Sequence, residues 1–306
     1  MEMTPMSETR KPHRDDVVIP FTVDSLDVRG RLVCIGPALD AILRRHDYPD
    51  AVSRLVAEAV AAAAMLGSAL KIEGEFQVQT RGDGAVERII ADFSASGALR
   101  ACARYDADKV KDGGAGAGLL GDGVLALTID PGAEMKQYQG VVALDSSGFE
   151  GAVNRYFRDS EQIPTLIRLA VAEQFEGGEA HWRVGGIMAQ HLPGPSGGED
   201  DDSTPGNEDP NWEEARALLE TVADHELVDP TEPGETLLYR LFHQQGVTAY
   251  ADIGLREQCS CSRERVLAML QGFPAEERRE LVGADGRITV TCEFCGRVYG
   301  FTAEEV

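Results

Sequence analysis

Two short motifs, Cys259-Ser-Cys261 and Cys292-Glu-Phe-Cys295, determine how the C-terminal end of this 306-residue chain folds. They contain four of its six cysteines, and 30 residues separate them. Paired thiolates that converge from two turns suit tetrahedral Zn²⁺, whose shell is complete with four sulfurs and needs no water. The motifs therefore predict one Zn²⁺, bound in the reduced protein by Cys259, Cys261, Cys292 and Cys295, in a small domain of residues 251–306.

The residues around these motifs predict a compact module. Apolar spacing indicates helices over 262–271 and 274–281, followed by a hairpin with strands 288–291 and 297–301. We expect Phe294 and Tyr299 to pack in its core. Arg263 and Arg265 either offset the negative charge of a ZnS₄ centre or are simply solvated. A module of this size buries little apolar surface, so its stability depends on the metal.

Two interpretations of the cysteines remain open at this point. A structural zinc ribbon is the ordinary interpretation of two cysteine pairs. The Cys-x-Cys pair is unusual for such a site, because its sulfurs would close a strained, labile disulfide ring on oxidation. Oxidants attack thiolates, and losing these ligands would release Zn²⁺ together with its contribution to folding. A zinc enzyme is disfavoured, because four cysteines leave no open coordination position.

A highly acidic segment precedes the module. Residues 195–232 contain 13 Asp or Glu and one Arg, so they carry −12 of the chain's formal charge of −23. Repulsion between these charges, together with the Pro and Gly of 193–210, opposes compact structure there. Helical spacing then predicts one helix capped by Asn211 and another that starts at Thr236 and ends at Gly246. We expect residues 193–250 to form an acidic linker, first flexible and then helical, whose helices need docking for stability.

Residues 1–192 are predicted to form an α+β domain with a mixed or antiparallel sheet. Helices are expected at 37–46, 49–70 and 149–158, and strands at 76–80, 86–90, 99–103, 124–129, 141–144, 165–171 and 181–190. The glycines of Gly116-Ala-Gly118-Leu-Leu-Gly121 match a dinucleotide fingerprint, but a strand pattern follows them, so we predict a loop. Cys34 and Cys102 lie in apolar stretches and are predicted to be buried core thiols.

Charge and hydropathy exclude several kinds of partner. A net charge of −23 opposes binding to the phosphates of nucleic acid or of an anionic membrane surface. The longest uncharged apolar run, residues 59–70, is shorter than the roughly 20 residues that span a bilayer, and no secretory signal is visible. We therefore expect a cytoplasmic protein that binds neither nucleic acid nor membrane. His46, His181 and His243 are not expected to bind metal, because four thiolates complete the shell.

The cysteine motifs resemble the C-terminal signature of the heat-shock protein 33 family, the redox-regulated holdase chaperones. The similarity extends over residues 22–302 and includes the segments His46-Asp-Tyr-Pro49, Gln79-x-x-Gly82-Asp-Gly84, Tyr138-Gln-Gly-Val-Val, Tyr156-Phe-x-x-Ser160-Glu-Gln-x-Pro164 and Leu238-x-Arg240-Leu-x-His243. This resemblance implies that the four C-terminal cysteines bind Zn²⁺ when reduced and form the disulfides Cys259–Cys261 and Cys292–Cys295 when oxidised. One departure is the segment 193–210, which is longer and more acidic than expected for the family.

The resemblance also implies a function, that of an ATP-independent holdase with no enzymatic activity. In the reduced form, zinc keeps the linker over an apolar surface of residues 1–192. Oxidation forms two disulfides, releases zinc, unfolds the linker and exposes apolar surface that binds unfolding client proteins. The family further implies a homodimer when oxidised and transfer of clients to ATP-dependent foldases. The alternative is a constitutive zinc-ribbon protein that docks a protein partner, whose site would keep its zinc and its four unreactive thiolates under mild oxidant.

Overall fold

The computed structural model describes residues 15–70, 74–112, 116–132, 136–192 and 209–306. The strands are β1 Val17–Val23, β2 Val28–Ile35, β3 Glu75–Gly82, β4 Val86–Ser94, β5 Ala98–Tyr105, β6 Gly123–Asp130, β7 Tyr138–Leu144, β8 Thr165–Glu176, β9 Glu179–His191, β10 Thr248–Ala249, β11 Ile253–Gly254, β12 Arg256–Glu257, β13 Arg287–Thr291 and β14 Val298–Thr302. The α-helices are α1 Pro37–Leu43, α2 Asp50–Ala69, α3 Ala107–Asp112, α4 Gly148–Tyr156, α5 Pro210–Glu220, α6 Asp224–Leu227, α7 Gly234–Phe242, α8 Arg263–Gln271 and α9 Ala275–Glu280.

The strands form three sheets, which confirms the prediction of an α+β fold with mixed sheets. Sheet A has the order β10-β1-β2-β9-β8, and β11 pairs with β1 as well. Sheet B has the order β12-β5-β4-β3-β6-β7, in which only the β12–β5 pair is parallel. The hairpin β13–β14 forms the third sheet near the C-terminus. Strands predicted at 76–80 and 86–90 pair as the antiparallel hairpin β3–β4.

Helix α2 packs against both large sheets and forms the centre of the main core. Its alanines, from Ala57 to Ala64, are fully buried, and their small side chains allow the two sheets to approach the helix closely. Among the described residues this is the one helix long and apolar enough to cross a membrane, yet 78% of its most apolar window is buried inside the protein. It is therefore a core helix, as the sequence predicts.

Two predicted helix starts are wrong by two residues. Helix α5 is capped by Asp209, whose carboxylate accepts hydrogen bonds from the backbone N–H groups of Asn211 and Trp212. Pro210 occupies its first turn, where the missing N–H costs nothing, so the helix begins before Asn211. Helix α7 begins at Gly234 rather than at Thr236, directly after Pro233. The predicted flexible part of the linker, 193–208, lies outside the described residues.

The glycine-rich stretch does not form a nucleotide-binding turn. Residues Gly116–Leu119 make a short 3₁₀ turn, and the strand β6 follows it. The helix that a dinucleotide fingerprint requires directly after its glycines is thus replaced by a strand. A π-helical turn, Phe157–Glu161, extends α4 and completes the predicted helix at 149–158.

Candidate metal centre and linker docking surface

The four C-terminal cysteines meet at one point between two turns. Cys259 and Cys261 lie on the loop between β12 and α8, and Cys292 and Cys295 lie on the turn between β13 and β14. The Sγ atoms of Cys259 and Cys292 are 3.7 Å apart, those of Cys261 and Cys295 are 3.4 Å apart, and all four lie within 4.8 Å of one another. Tetrahedral Zn²⁺ with Zn–S bonds of about 2.3 Å separates its sulfurs by about 3.8 Å. The cluster can therefore hold one metal ion of this kind.

Local backbone geometry brings the sulfurs to this point. Gly296 has a φ of +68°, and its N–H donates to the Cys292 carbonyl, which closes the turn around the second pair. On the other side, the Ser262 hydroxyl caps α8 by accepting a hydrogen bond from the Arg265 N–H. This cap ends the extended loop directly after Cys261. Both turns are thus specified by residues adjacent to the motifs.

The metal-free thiols differ strongly in acidity. Burial alone would raise the pKa of Cys261, but hydrogen bonds from the Tyr299 hydroxyl (3.1 Å) and from the neighbouring thiols outweigh it and lower this pKa to about 7. Burial raises the pKa of Cys259 to about 12. Cys261 is therefore a more acidic thiol than Cys259.

The arginines near the first motif have separate roles. Arg265 Nη1 donates to the Ser260 carbonyl (2.9 Å) and so places a positive charge beside the Cys-x-Cys turn. Arg263 instead lies over the Phe301 ring and pairs with Glu305 (2.6 Å). Of these two arginines, Arg265 is therefore the one placed to offset negative charge on the sulfurs. Arg297 also interacts electrostatically with Cys261 and Cys295, and Arg100 with Cys259.

Residues enclosed by the cysteine pairs contact the N-terminal sheets. Arg100 Nη1 donates to the Ser260 hydroxyl, and its guanidinium lies 4.4 Å from the centre of the Phe294 ring. His46 Nε2 lies 3.2 Å from the Phe294 carbonyl, and Arg88 pairs with Glu293 at 3.0 Å. Phe294 thus packs at this interface, so the prediction that it belongs to the module's core is wrong. The other residues of the motif offer this ring no apolar contact, whereas at the interface it packs against the Arg100 guanidinium.

The core of the module is formed by Leu270, Ile288, Tyr299 and Phe301, which are all buried. Tyr299 therefore lies where the sequence predicts it. The predicted core thiols Cys34 and Cys102 are buried in the N-terminal sheets, and burial raises the pKa of each to about 12. His181 pairs with Asp40 and His243 contacts the Arg240 carbonyl, away from the cysteine cluster.

Arg100 is expected to hold the module against sheet B. Its Nε donates to Asp92 (2.7 Å), a buried carboxylate that keeps only the Gln77 amide when Arg100 is removed. An Arg100→Met substitution also removes the hydrogen bond to Ser260 and the contact with the Phe294 ring, so docking should weaken by about 1–3 kcal/mol. Hydrogen exchange at the amides of Arg256 and Gln258, which donate to sheet B, should then accelerate by about 5- to 150-fold.

The matched control for this change is Arg104→Met. Arg104 lies on the same strand but is largely exposed and pairs with Glu87 at the surface. Its removal should leave exchange at both amides unchanged, because exposed ion pairs contribute little. Equal acceleration in the two variants would show that Arg100 has no special part in docking.

The linker helices cover one face of sheet A, which we call the docking face. It consists of the inward side chains Val17, Ile19, Phe21, Val23, Leu32, Ile187 and Ala189. Helices α5 to α7 cover it with Trp212, Leu219, Leu227, Leu238 and Phe242, each at most 3% exposed. The rings of Phe21 and Phe242 lie 5.9 Å apart between the layers. This second core is separate from the one around α2, and the linker helices supply about half of its buried side chains.

A tight backbone contact anchors the centre of the linker. A Cβ atom at Gly185 would lie 1.9 Å from the Leu227 carbonyl oxygen, so only glycine fits there. The next carbonyl, that of Val228, accepts hydrogen bonds from Gln174 Nε2 (2.9 Å) and from Arg183 Nε (3.2 Å). Arg183 is itself buried and bound by both carboxylate oxygens of Asp15. The linker is thus held by a polar contact as well as by apolar packing.

Comparison with known proteins identifies the family to which this chain is related. The model of the family described as Hsp33 protein matches residues 16–302. The 33 kDa chaperonin of Caulobacter vibrioides is 42% identical over 291 residues, which cover 93% of this chain and 94% of that protein. This chain belongs to the Hsp33 family.

Other Hsp33 proteins agree in extent and in fold. The 33 kDa chaperonin of Ectopseudomonas mendocina is 33% identical over 287 residues, covering 94% of this chain and 92% of that protein. The crystal structure of the 33 kDa chaperonin from Thermotoga maritima matches with a TM-score of 0.72 at 19% identity, covering 95% of this chain and 96% of that one. It shows the same overall fold. Hsp33 proteins are non-enzymatic chaperones, which confirms that the chain is not an enzyme.

Sequence reasoning does not find every functional position of this Hsp33 chain. The contact role of Arg100 cannot be predicted from the sequence, because an arginine in a strand of alternating pattern is ordinarily exposed to solvent. Gly185 does carry one, since the pair Gly185-Gly186 interrupts an apolar strand, and glycine there indicates a close backbone approach. The partner that approaches it, Leu227, is found only in the structure.

Proposed function

We propose that this chain is a redox-regulated, ATP-independent holdase whose reduced, zinc-bound form is inactive. In this proposal residues 1–192 bind clients, 193–250 form the linker, and 251–306 form the redox switch. Oxidation forms the disulfides Cys259–Cys261 and Cys292–Cys295, releases zinc, unfolds the linker and uncovers the docking face. The observation that carries the proposal is that one chain joins a four-sulfur cluster to helices lying over an apolar sheet face.

The cysteines are proposed to bind Zn²⁺ as four thiolates. When bound, the ion supplies a cross-link between the two turns of the module and holds all four sulfurs deprotonated. The chain's own contribution without it is small, since only four apolar side chains form the buried core of the module besides the cysteines. Losing the cross-link should therefore unfold the module.

Oxidation removes the ligands in a balanced reaction. Each disulfide forms one S–S bond from two thiolates and gives two electrons to one hydrogen peroxide molecule, which takes up two protons from solvent and is reduced to two water molecules. Two equivalents of peroxide thus convert the four cysteines into two disulfides. A disulfide sulfur is a poor metal ligand compared with a thiolate, so zinc leaves.

Loss of the module should release the linker. Rearrangement of the two turns breaks their contacts with the N-terminal sheets. These contacts are Ser260 with Arg100, Glu293 with Arg88, and Phe294 with His46. Helices α5 to α7 are short, and short helices are marginal in water without a packed face. Repulsion among the acids of 195–232 then favours an extended linker. The uncovered docking face would bind apolar segments of unfolding proteins.

Further partners follow from the family relationship. We propose that the oxidised form is a homodimer, that clients pass to ATP-dependent foldases, and that the protein acts in the cytoplasm. We also propose that the protein binds neither membrane nor nucleic acid. The burial of α2 argues against a membrane-spanning role for this helix, and the net charge of −23 opposes binding to phosphates.

The proposal is tested with the purified zinc-loaded protein before and after peroxide at elevated temperature. We expect zinc content to fall from one ion per chain to none, four free thiols to disappear, and aggregation of a thermally unfolding enzyme to be suppressed only after oxidation. Retention of zinc and of all four thiols would instead support a constitutive zinc-ribbon protein. Zinc loss without any suppression of aggregation would exclude the holdase.

A further inference from the structure

Residues 248–257, which join α7 to the first cysteine, run along the open edges of both large sheets. Strands β10 and β11 pair antiparallel with β1, the edge of sheet A, and Ile253 lies opposite Val18. Strand β12 pairs parallel with β5, the edge of sheet B, and Glu257 lies opposite Leu99. The segment therefore crosses from one sheet edge to the other, and we call the gap that it fills the seam.

Leu255 is placed at the centre of the seam. It is 7% exposed and packs in the main core together with residues of both sheets. Its N–H donates to the Asp16 carbonyl (2.6 Å), and the next N–H, of Arg256, donates to the Gly97 carbonyl (2.9 Å). One aliphatic side chain in a pocket, flanked by main-chain hydrogen bonds, is the pattern by which extended peptides bind to sheet edges.

The pairing that holds this segment is short and interrupted. Each of β10, β11 and β12 has only two residues. Between β10 and β11 the edge strand β1 presents Pro20, whose nitrogen has no hydrogen to donate, although its carbonyl accepts from the Tyr250 N–H (2.8 Å). The segment thus depends on its attachments at either end, to α7 and to the cysteine module, both of which are lost on oxidation in the function proposed above.

We propose that the seam is a client-binding cleft that residues 248–257 occupy in the closed state. Its ligand is an extended segment of an unfolded protein with a bulky aliphatic residue in the position of Leu255. Main-chain pairing with β1 and β5 is independent of the client's sequence, as a general holdase requires, and the pocket selects one apolar side chain. Unpaired sheet edges capture extended chains, and the chain's own segment prevents this until it is released.

This inference rests on the proposed function and assigns it a second site, distinct from the docking face. The two surfaces select different features of a client. The docking face is a set of side chains that suits apolar surface of any backbone shape, whereas the seam requires an extended backbone.

The test uses a labelled peptide with the sequence of residues 248–257, blocked at both ends, and full-length protein. We expect saturable binding to the oxidised protein, with affinity at least tenfold weaker for the reduced zinc form, whose seam is filled. A peptide in which the position of Leu255 is Asp is the matched control and should also bind at least tenfold more weakly. A photoreactive residue at the position of Tyr250 should cross-link to β1.

The outcomes separate the two proposals, because the same oxidised sample is assayed for suppression of aggregation. If it holds clients but binds both peptides equally, or cross-links only within the docking face, the seam proposal is wrong and the holdase stands. If it holds no clients, the proposed function fails and the seam proposal fails with it. Unlabelled client that displaces the peptide supports the seam directly.

Discussion

Gly185→Ala is expected to make the reduced, zinc-loaded protein an active holdase without oxidant. The new Cβ would lie 1.9 Å from the Leu227 carbonyl oxygen and 2.5 Å from its carbon, so α6 must move away from sheet A. Overpacking of this kind costs about 1–3 kcal/mol. At about 1.4 kcal/mol per tenfold, the ratio of open to closed linker should rise by about 5- to 150-fold.

The measurement is suppression of client aggregation by reduced protein, with zinc content determined in the same sample. Gly186→Ala is the matched control, because its Cβ would meet Leu169 and Met65 on the opposite, core-facing side of the strand. It should lower the thermal stability of the N-terminal domain while the linker stays docked. If Gly185→Ala leaves the reduced protein inactive, the contact at Leu227 does not hold the linker.

Cys295→Ser is expected to abolish zinc binding and to unfold the C-terminal module. Cys295 is the most buried of the four cysteines, and its Sγ lies 3.4 Å from that of Cys261, so no other side chain can replace it. Structural zinc contributes about 10–16 kcal/mol in zinc-finger peptides at neutral pH, far more than a core of this size supplies. Purified variant should contain less than a tenth of the wild-type zinc.

Limited proteolysis reports the folding of the module in this variant. Cleavage within 259–306 should be at least tenfold faster than in wild type, and the linker helices should also become accessible to the protease. Cys102→Ser is the control, since Cys102 is equally buried but lies in β5 and should leave zinc content intact. A Cys295→Ser protein that keeps a full zinc ion would refute the four-cysteine site.

The local structure of the module could be predicted because its determinants are close together in sequence. The cap at Ser262, the turn at Gly296 and the hairpin each depend on residues within a few positions. The start of α5 was harder, because Asp209 and Asn211 are both good caps and only Pro210 decides between them. Periodicity showed that the linker helices have apolar faces, but not which surface those faces cover.

Contacts between distant residues account for what could not be predicted. Arg100 and Ser260 are separated by 160 residues, and nothing in either neighbourhood indicates the other. The sequence around Phe294 predicts packing in the nearest core, because the interface with Arg100 forms only when both parts of the chain are folded. The path of 248–257 along two sheet edges also depends on the completed sheets, since each of its strands has only two residues and lacks a recognisable alternation.

The placement of Ser260 and Phe294 inside the two cysteine pairs has a consequence for how fast the protein can respond. In the proposed function, the turns that react with oxidant are also the turns that contact the N-terminal sheets, so oxidation acts directly on the contacts that hold the module. The acidic segment needs only to extend once these contacts are lost. In the proposed function its length and charge affect how far the chain opens, while oxidation at the two turns triggers the opening.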